Sequence, residues 1–306
     1  MQIETIDLHY RGVSRVVASY LVIGPGGPVL VETGPGSTLE VLLAGLKDHG
    51  VAPADVRHVL VTHIHLDHAG AAGWWAKQGA TVYVHPFGAP HLVDPSKLIA
   101  SATRIYKDEM DVLWGDILPA PPERVVPVQD GQVIAASGLS FTAVETPGHA
   151  RHHHVFHIGD VVFTGDAAGI RFPDSPWIDV PAPPPEFDLE TWKITIDRIR
   201  ELDATTLYPT HYGPTDEVAI QLDGLQVALE EVVGFVQSLM DEGLDRDQMV
   251  ERYSLRLRDR VAAAGVSDDL AQAMEIANPK AMSVNGISRY LSKLAGHINS
   301  VPGSDG

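Results

Sequence analysis

Seven consecutive residues constrain this chain more than any others in it. Thr62-His63-Ile64-His65-Leu66-Asp67-His68 places three imidazoles and a carboxylate directly after the apolar run His58–Thr62, which reads as a short strand. Histidines at i and i+2 leaving a strand end can point both rings at one ion. The Asp-His pair, at the turn into a helix, can face a second ion close by. Imidazole and carboxylate donors suit zinc, iron or manganese. A lone histidine is far more often a surface or packed residue than a ligand, but four ligand-type residues at this spacing are not explained that way.

Three further strand ends carry a residue of the same kind. Thr146-Pro147-Gly148-His149 closes an apolar run with a tight turn beneath the imidazole. Phe163-Thr164-Gly165-Asp166 and Tyr208-Pro209-Thr210-His211 repeat the arrangement with a carboxylate and an imidazole. In each case a sheet would aim the side chain from just beyond its edge.

Around these motifs the chain alternates short β-rich runs with turns and helices. Strands are expected at Ser19–Ile23, Val29–Glu32, Thr81–Val84, Leu139–Thr146, Val155–Ile158, Val161–Thr164 and Thr206–Tyr208. Ser37-x-x-Glu40 predicts a capping box opening a helix that ends near Gly50. A second helix is expected from about Ala69 to Gln78, and a third from Asp188 as cap to about Leu202. The pattern changes after Thr215. Leu222, Leu225, Leu229, Val232, Val236 and Leu239 form a regular amphipathic stripe, and Asn278-Pro279 starts another helix bearing Met282, Ile287, Leu291 and Leu294. The expected division is a metal-binding domain over 1–215, a helical region over 216–300 and a disordered tail over 301–306. The stripe has two readings, a cap at the mouth of the site or the seam of a homodimer.

Composition removes several classes of function. The absence of cysteine excludes disulfide scaffolds, zinc ribbons, iron–sulfur clusters and thiol nucleophiles. With 22 Lys plus Arg against 40 Asp plus Glu, the formal charge of −18 argues against a nucleic-acid partner or an anionic membrane surface. No apolar run has the length of a membrane span, and the N-terminus lacks the pattern of a signal peptide, so a cytoplasmic location is expected.

Taken in order, His-x-His-x-Asp-His, Pro-Gly-His, Thr-Gly-Asp and the late Thr-His resemble the metallo-β-lactamase-fold hydrolase superfamily, and within it the glyoxalase II-like branch. The resemblance covers roughly residues 1–215 and implies an α+β fold, a four-layer αβ/βα sandwich, here with a C-terminal helical appendage. It implies two divalent metal ions, zinc first and iron or manganese also compatible. His63, His65 and His149 would hold one, Asp67, His68 and His211 the other, and Asp166 would bridge them. It further implies a metal-bridging hydroxide that cleaves a small ester, thioester or lactone, with Asp67 as the catalytic carboxylate orienting it or moving its proton. Glu32-Thr33-Gly34 stands where relatives often carry Asp-Thr-Gly, which makes Glu32 a candidate to support a ligand from behind. His152, His153 and Tyr212 are candidates for the same role, and Phe172 and Trp177 for lining a pocket. Gly169 replaces a tyrosine found in homoserine-lactone lactonases of this fold, and no glutathione-binding pattern is visible.

The expected partner is a small-molecule substrate. Alternatives within the fold are a mononuclear-iron oxidoreductase of the persulfide dioxygenase kind, a nuclease, which the charge disfavours, and a non-catalytic metal-binding protein.

Overall fold

The structure, a computed structural model, describes residues 1–172, 175 and 177–298, so the expected tail over 301–306 lies outside the described residues. Two sheets face each other. The first contains β1 (Gln2–Asp7), β2 (Ala18–Gly24), β3 (Gly27–Val31), β4 (His58–Leu60), β5 (Thr81–Val84) and β6 (Val125–Pro127), side by side in chain order. The pairs β1–β2 and β2–β3 are antiparallel, whereas β3 to β6 run parallel. Parallel neighbours need crossovers. These are supplied by α1 (Leu39–Asp48), by α2 (Leu66–Ala69) with α3 (Ala72–Lys77), and by α4 (Ala89–Val93), α5 (Ser96–Tyr106) and α6 (Met110–Trp114).

The second sheet contains β7 (Val133–Ala136), β8 (Leu139–Glu145), β9 (His154–Ile158), β10 (Val161–Gly165) and β11 (Thr206–Pro209), ordered β11-β10-β9-β8-β7. Only β10 and β11 are parallel, joined through α7 (Leu189–Arg200). Then follow α8 (Val218–Asp241), α9 (Arg246–Ala264), α10 (Asp268–Ala277) and α11 (Lys280–Ile298).

The strands are apolar on both faces because each face meets a different core. Tyr20 and Val22 of β2 enter the core between the sheets, while Leu21 points to the core beneath α1 and α3. On β10, Phe163 faces the inter-sheet core and Val162 the core beneath α7 and α8. Helices, sheet, sheet and helices thus form the four layers of an α+β sandwich.

The α8 stripe serves the outermost core. Leu222, Leu225, Leu229, Val236 and Leu239 are buried there with Ile196 and Ile199 of α7, and Val233 is buried where Val232 was expected, Val232 being half-buried. Asp188 caps α7, its Oδ1 accepting from Thr191 N at 2.9 Å. Two helix starts differ from expectation. The Ser37 hydroxyl donates to Leu113 O at 2.7 Å and caps nothing, because a 3-10 turn over Gly36–Thr38 leads into α1. The helix expected from Ala69 begins at Leu66 and breaks at Ala71, whose N–H donates to Gly34 O.

Candidate metal centre

Every candidate ligand of the sequence motifs reaches one edge of the sandwich. His63 and His65 follow β4, Asp67 and His68 lie on the short α2, and His149, Asp166 and His211 follow β8, β10 and β11. Their donor atoms form three overlapping groups, each with all members within 4.8 Å of one another: His63, His65 and His149; His63, His68 and Asp166; Asp67, His68 and His211. In the first group, His65 Nδ1 lies 2.9 Å from both His63 Nε2 and His149 Nε2. In the third, Asp67 Oδ2 lies 3.4 Å from His211 Nε2 and 3.9 Å from His68 Nε2.

Asp166 stands between these groups and turns one oxygen to each. Its Oδ2 is 3.3 Å from His149 Nε2, and its Oδ1 is 3.4 Å from His68 Nε2 and 3.7 Å from His211 Nε2. Two ligands on a tetrahedral zinc are about 3.4 Å apart given metal–ligand distances near 2.0–2.1 Å, which is the spacing seen here. His68 Nε2 and Asp166 Oδ1 are buried and have no hydrogen-bond partner. A buried polar atom is costly without a partner, and a cation would supply one to both. The donor set fits a divalent metal.

The ring nitrogens that face away are also held. His63 Nδ1 lies 3.1 Å from Thr62 Oγ1, and His68 Nδ1 lies 3.3 Å from Glu32 Oε1. His149 Nδ1 donates to Pro181 O at 2.8 Å, and His211 Nδ1 to Val16 O at 2.6 Å. Such contacts set tautomer and ring orientation, leaving Nε2 to face inward. Glu32 has a positive φ of 65°, and its carboxylate also accepts from the Thr62 hydroxyl at 2.5 Å and the Thr210 hydroxyl at 3.4 Å. Two glycines let the loops close. At Gly148, with φ +132°, a Cβ would lie 2.4 Å from Trp192 Cβ, and at Gly165, with φ +51°, it would lie 2.3 Å from Thr62 Oγ1.

Burial and mutual charge set the protonation states. Burial lowers the pKa of His63, His65 and His149, that of His65 to about 3, so these rings are neutral and keep a lone pair. Burial alone would raise Asp67 and Asp166. The imidazoles around them outweigh it, His68 foremost, and both carboxyls titrate well below their usual range. His68 and His211 shift upward despite burial, because Asp166 and Asp67 face them. Metal binding would therefore displace protons chiefly from these two rings.

The remaining candidates sit differently. The His152 ring stacks over His63 with centroids 6.0 Å apart, and its Nε2 lies 3.4 Å from Glu186 Oε2. His153 Nε2 accepts from Asp166 N at 3.2 Å while its Nδ1 lies 2.9 Å from Thr146 Oγ1. Tyr212 packs against two of the cores, Phe172 is buried in the first core, and Trp177 lies under Arg260. These three do not line the cavity that opens on the site.

That cavity, about 530 Å³, is reached by His65, Asp67, His149, Asp166 and His211. Few of its other wall residues were singled out as pocket residues from sequence. These walls come from Tyr10, from the α4–α6 excursion with Tyr106 and Trp114, and from the α10–α11 junction with Asn278 and Met282. Trp114 stacks on Tyr10 at 6.0 Å and meets Tyr106 edge-on at 5.1 Å. No motif marks Tyr10, Tyr106 or Trp114, and only the folded path of the chain brings them together with Asn278 and Met282.

A family model described as the metallo-beta-lactamase superfamily matches residues 13–211. Over 160 residues the chain is 28% identical to a metallo-beta-lactamase fold-containing protein of Sulfurisphaera tokodaii, covering 51% of this chain and 60% of that protein. It is 26% identical over 210 residues to an atrochrysone carboxyl ACP thioesterase of Aspergillus fumigatus, covering 66% of this chain and 39% of the thioesterase. The chain thus spans less than two thirds of the length of these curated relatives. The crystal structure of a metallo-beta-lactamase family protein from Thermus thermophilus matches with a TM-score of 0.69 at 21% identity, over 96% of this chain and 93% of that one, a likeness of fold. The relatives carry lactamase-like and thioesterase names, so the resemblance to a glyoxalase II-like branch is carried here only to the superfamily. With the family match running from the second strand's approach to His211, and the same two-sheet sandwich beneath it, the chain belongs to the metallo-beta-lactamase superfamily.

Proposed function

We propose that this protein is a dinuclear metal-dependent hydrolase that cleaves an ester or thioester with an apolar acyl group. The observation that carries this reading is Asp166, whose Oδ2 faces His149 while its Oδ1 faces His68 and His211, at the end of a largely apolar cavity. Five imidazoles and two carboxylates, without sulfur, are a donor set for zinc, iron or manganese. His63, His65 and His149 would hold one ion, Asp67, His68 and His211 the other, with Asp166 between them. When bound, such ions acidify a water and polarise a carbonyl oxygen.

The chain's own residues then have distinct tasks. Asp67, ionised and partly open to the cavity, can accept a hydrogen bond from the attacking water and orient it. Ile64, Leu66, Leu113 and Trp114 line the cavity with apolar surface, which excludes bulk water and receives the acyl group. Tyr10 and Tyr106 stay protonated, since burial and the charge of Asp67 raise both, Tyr106 to about 12, and their hydroxyls can donate to substrate oxygen. Water adds to the acyl carbon, the bond to the alkoxy or thiolate group breaks, and an acid and an alcohol or thiol leave. Ester or thioester cleavage is also the chemistry that a thioesterase-named relative suggests.

The test is a panel of acyl thioesters and esters of increasing chain length, assayed as purified, after chelation and after metal is restored. Hydrolysis that grows with acyl length, stops with chelator and returns with metal is expected. Oxygen uptake on a persulfide, with no ester or thioester cleaved, would replace this reading with the redox one.

A further inference from the structure

A buried ion pair ties the C-terminal helices to one of the candidate ligands. Lys280, the first residue of α11, is 2% exposed, and its Nζ lies 3.3 Å from Asp179 Oδ2 and donates to Asn278 O at 2.8 Å. Asp179 belongs to a short segment, 179–182, held residue by residue. Asp179 pairs its backbone with Ile170. Val180 O accepts from Asn278 Nδ2 at 2.9 Å and lies 3.2 Å from Ser283 Oγ. Pro181 O accepts from His149 Nδ1 at 2.8 Å. Ala182 O comes so close to α11 that a Cβ at Gly286 would lie 2.0 Å from it.

Such a pair has little to offer as stabilisation. Removing two charges from water costs about as much as their attraction returns, and well-packed apolar residues in their place are often as stable. What the pair does supply is registry. The Lys280 ammonium can meet Asp179 only with α11 seated against the segment, and the segment then presents the Pro181 carbonyl to His149. One residue, Val180, separates the ion pair from the carbonyl that orients the ring.

We propose that Lys280 and Asp179 are positioning residues for His149: they hold segment 179–182 in register so that Pro181 O fixes the ring with Nε2 turned to His65 and Asp166. This rests on the metal-site reading above. In that reading a contact to a ligand's outward nitrogen changes metal affinity by roughly 10- to 100-fold. The effect belongs to the ion held by His63, His65 and His149, because the Asp67, His68 and His211 group has its own supports in Glu32 and Val16.

The experiment titrates metal-free full-length protein with zinc against a competing chelator, and follows thermal unfolding in parallel. The double variant Lys280→Met/Asp179→Asn leaves no unpaired buried charge. Ile134→Ala, a cavity on β7 in the core between the sheets, serves as a variant destabilised elsewhere. Wild type is expected to bind two ions and the double variant one at unchanged affinity and one roughly 10- to 100-fold more weakly. Ile134→Ala should melt earlier with both affinities kept. If the double variant does not fold, Asn278→Ala loosens the same segment at Val180 and should give a smaller loss at the same single site. Wild-type affinities in whichever variant folds would overturn the proposal. A wild-type chain that binds no zinc would overturn the metal-site reading and the lock together, whereas two-ion wild type with two-ion variants would overturn the lock alone.

Discussion

Glu32 shows how much a single residue decides at this site. Its left-handed backbone turns the carboxylate under the end of β4, where it meets the Thr62 and Thr210 hydroxyls and His68 Nδ1. A residue other than glycine adopts that conformation only when its surroundings over-determine it. Glu32→Gln keeps the size but removes the charge facing His68 and introduces an amide N–H₂ among groups that need an acceptor. The expected result is a folded protein whose zinc affinity at the Asp67, His68 and His211 group falls roughly 10- to 100-fold, read by chelator competition. Unchanged affinity would mean that Glu32 supports the fold and not the ligand. Glu32 was singled out from its place before Thr33-Gly34, but its partners were not readable, since Thr62 and Thr210 lie 30 and 178 positions away along the chain.

The loops between elements decide whether the donors meet. Gly148 turns the chain after β8 with a positive φ and no room for a side chain against Trp192 of α7. Gly148→Ala should destabilise the protein by about 3 kcal/mol, from backbone strain and overpacking together, and should weaken zinc binding through the displaced His149. Calorimetry with parallel metal titration checks both, and an alanine variant as stable as wild type would show that the turn tolerates a Cβ. Elements with strong patterns were legible: β2, β3, β8, β9 and β10 fall within a residue or two of expectation, and the Asp188 cap lies where its spacing put it. The strands β1, β6 and β7 were not foreseen. β6 has only three residues, and β7 only four, two of them alanine. The α4–α6 excursion was missed because α4 and α6 have five residues each, and α5, although eleven long, buries only Ala102. The capping box at Ser37 failed because a tertiary acceptor, Leu113 O, took the hydroxyl.

Across the whole molecule, seven donors spread from residue 63 to residue 211 become neighbours only because two sheets present the ends of β4, β8, β10 and β11 at one edge. Sequence spacing made the donors visible, whereas much of the cavity they open on comes from segments without motifs, such as those carrying Tyr10, Tyr106 and Trp114. The same assembly also buries a histidine outside the three donor groups. His154 is fully buried on β9 with neither ring nitrogen hydrogen-bonded, and burial, with the nearby His85, lowers its pKa to about 3. Between pH 6.5 and about 3 the unfolded chain binds a proton there that the folded chain does not, so stability falls as pH falls through that window. His154→Leu in metal-free protein should flatten the dependence by up to about 1.4 kcal/mol per pH unit, measured by denaturant unfolding at pH 6 to 4; an unchanged slope would place the lost proton elsewhere.

The two-ion centre itself is tested most directly by elemental analysis of natively purified protein, wild type beside Asp166→Ala, with folding verified by circular dichroism. About two divalent ions per wild-type chain are predicted, with one or both lost in the variant, because among the described residues no other side chain turns an oxygen to both sides of the site. A folded wild type free of metal, or a variant with undiminished metal content, would contradict it.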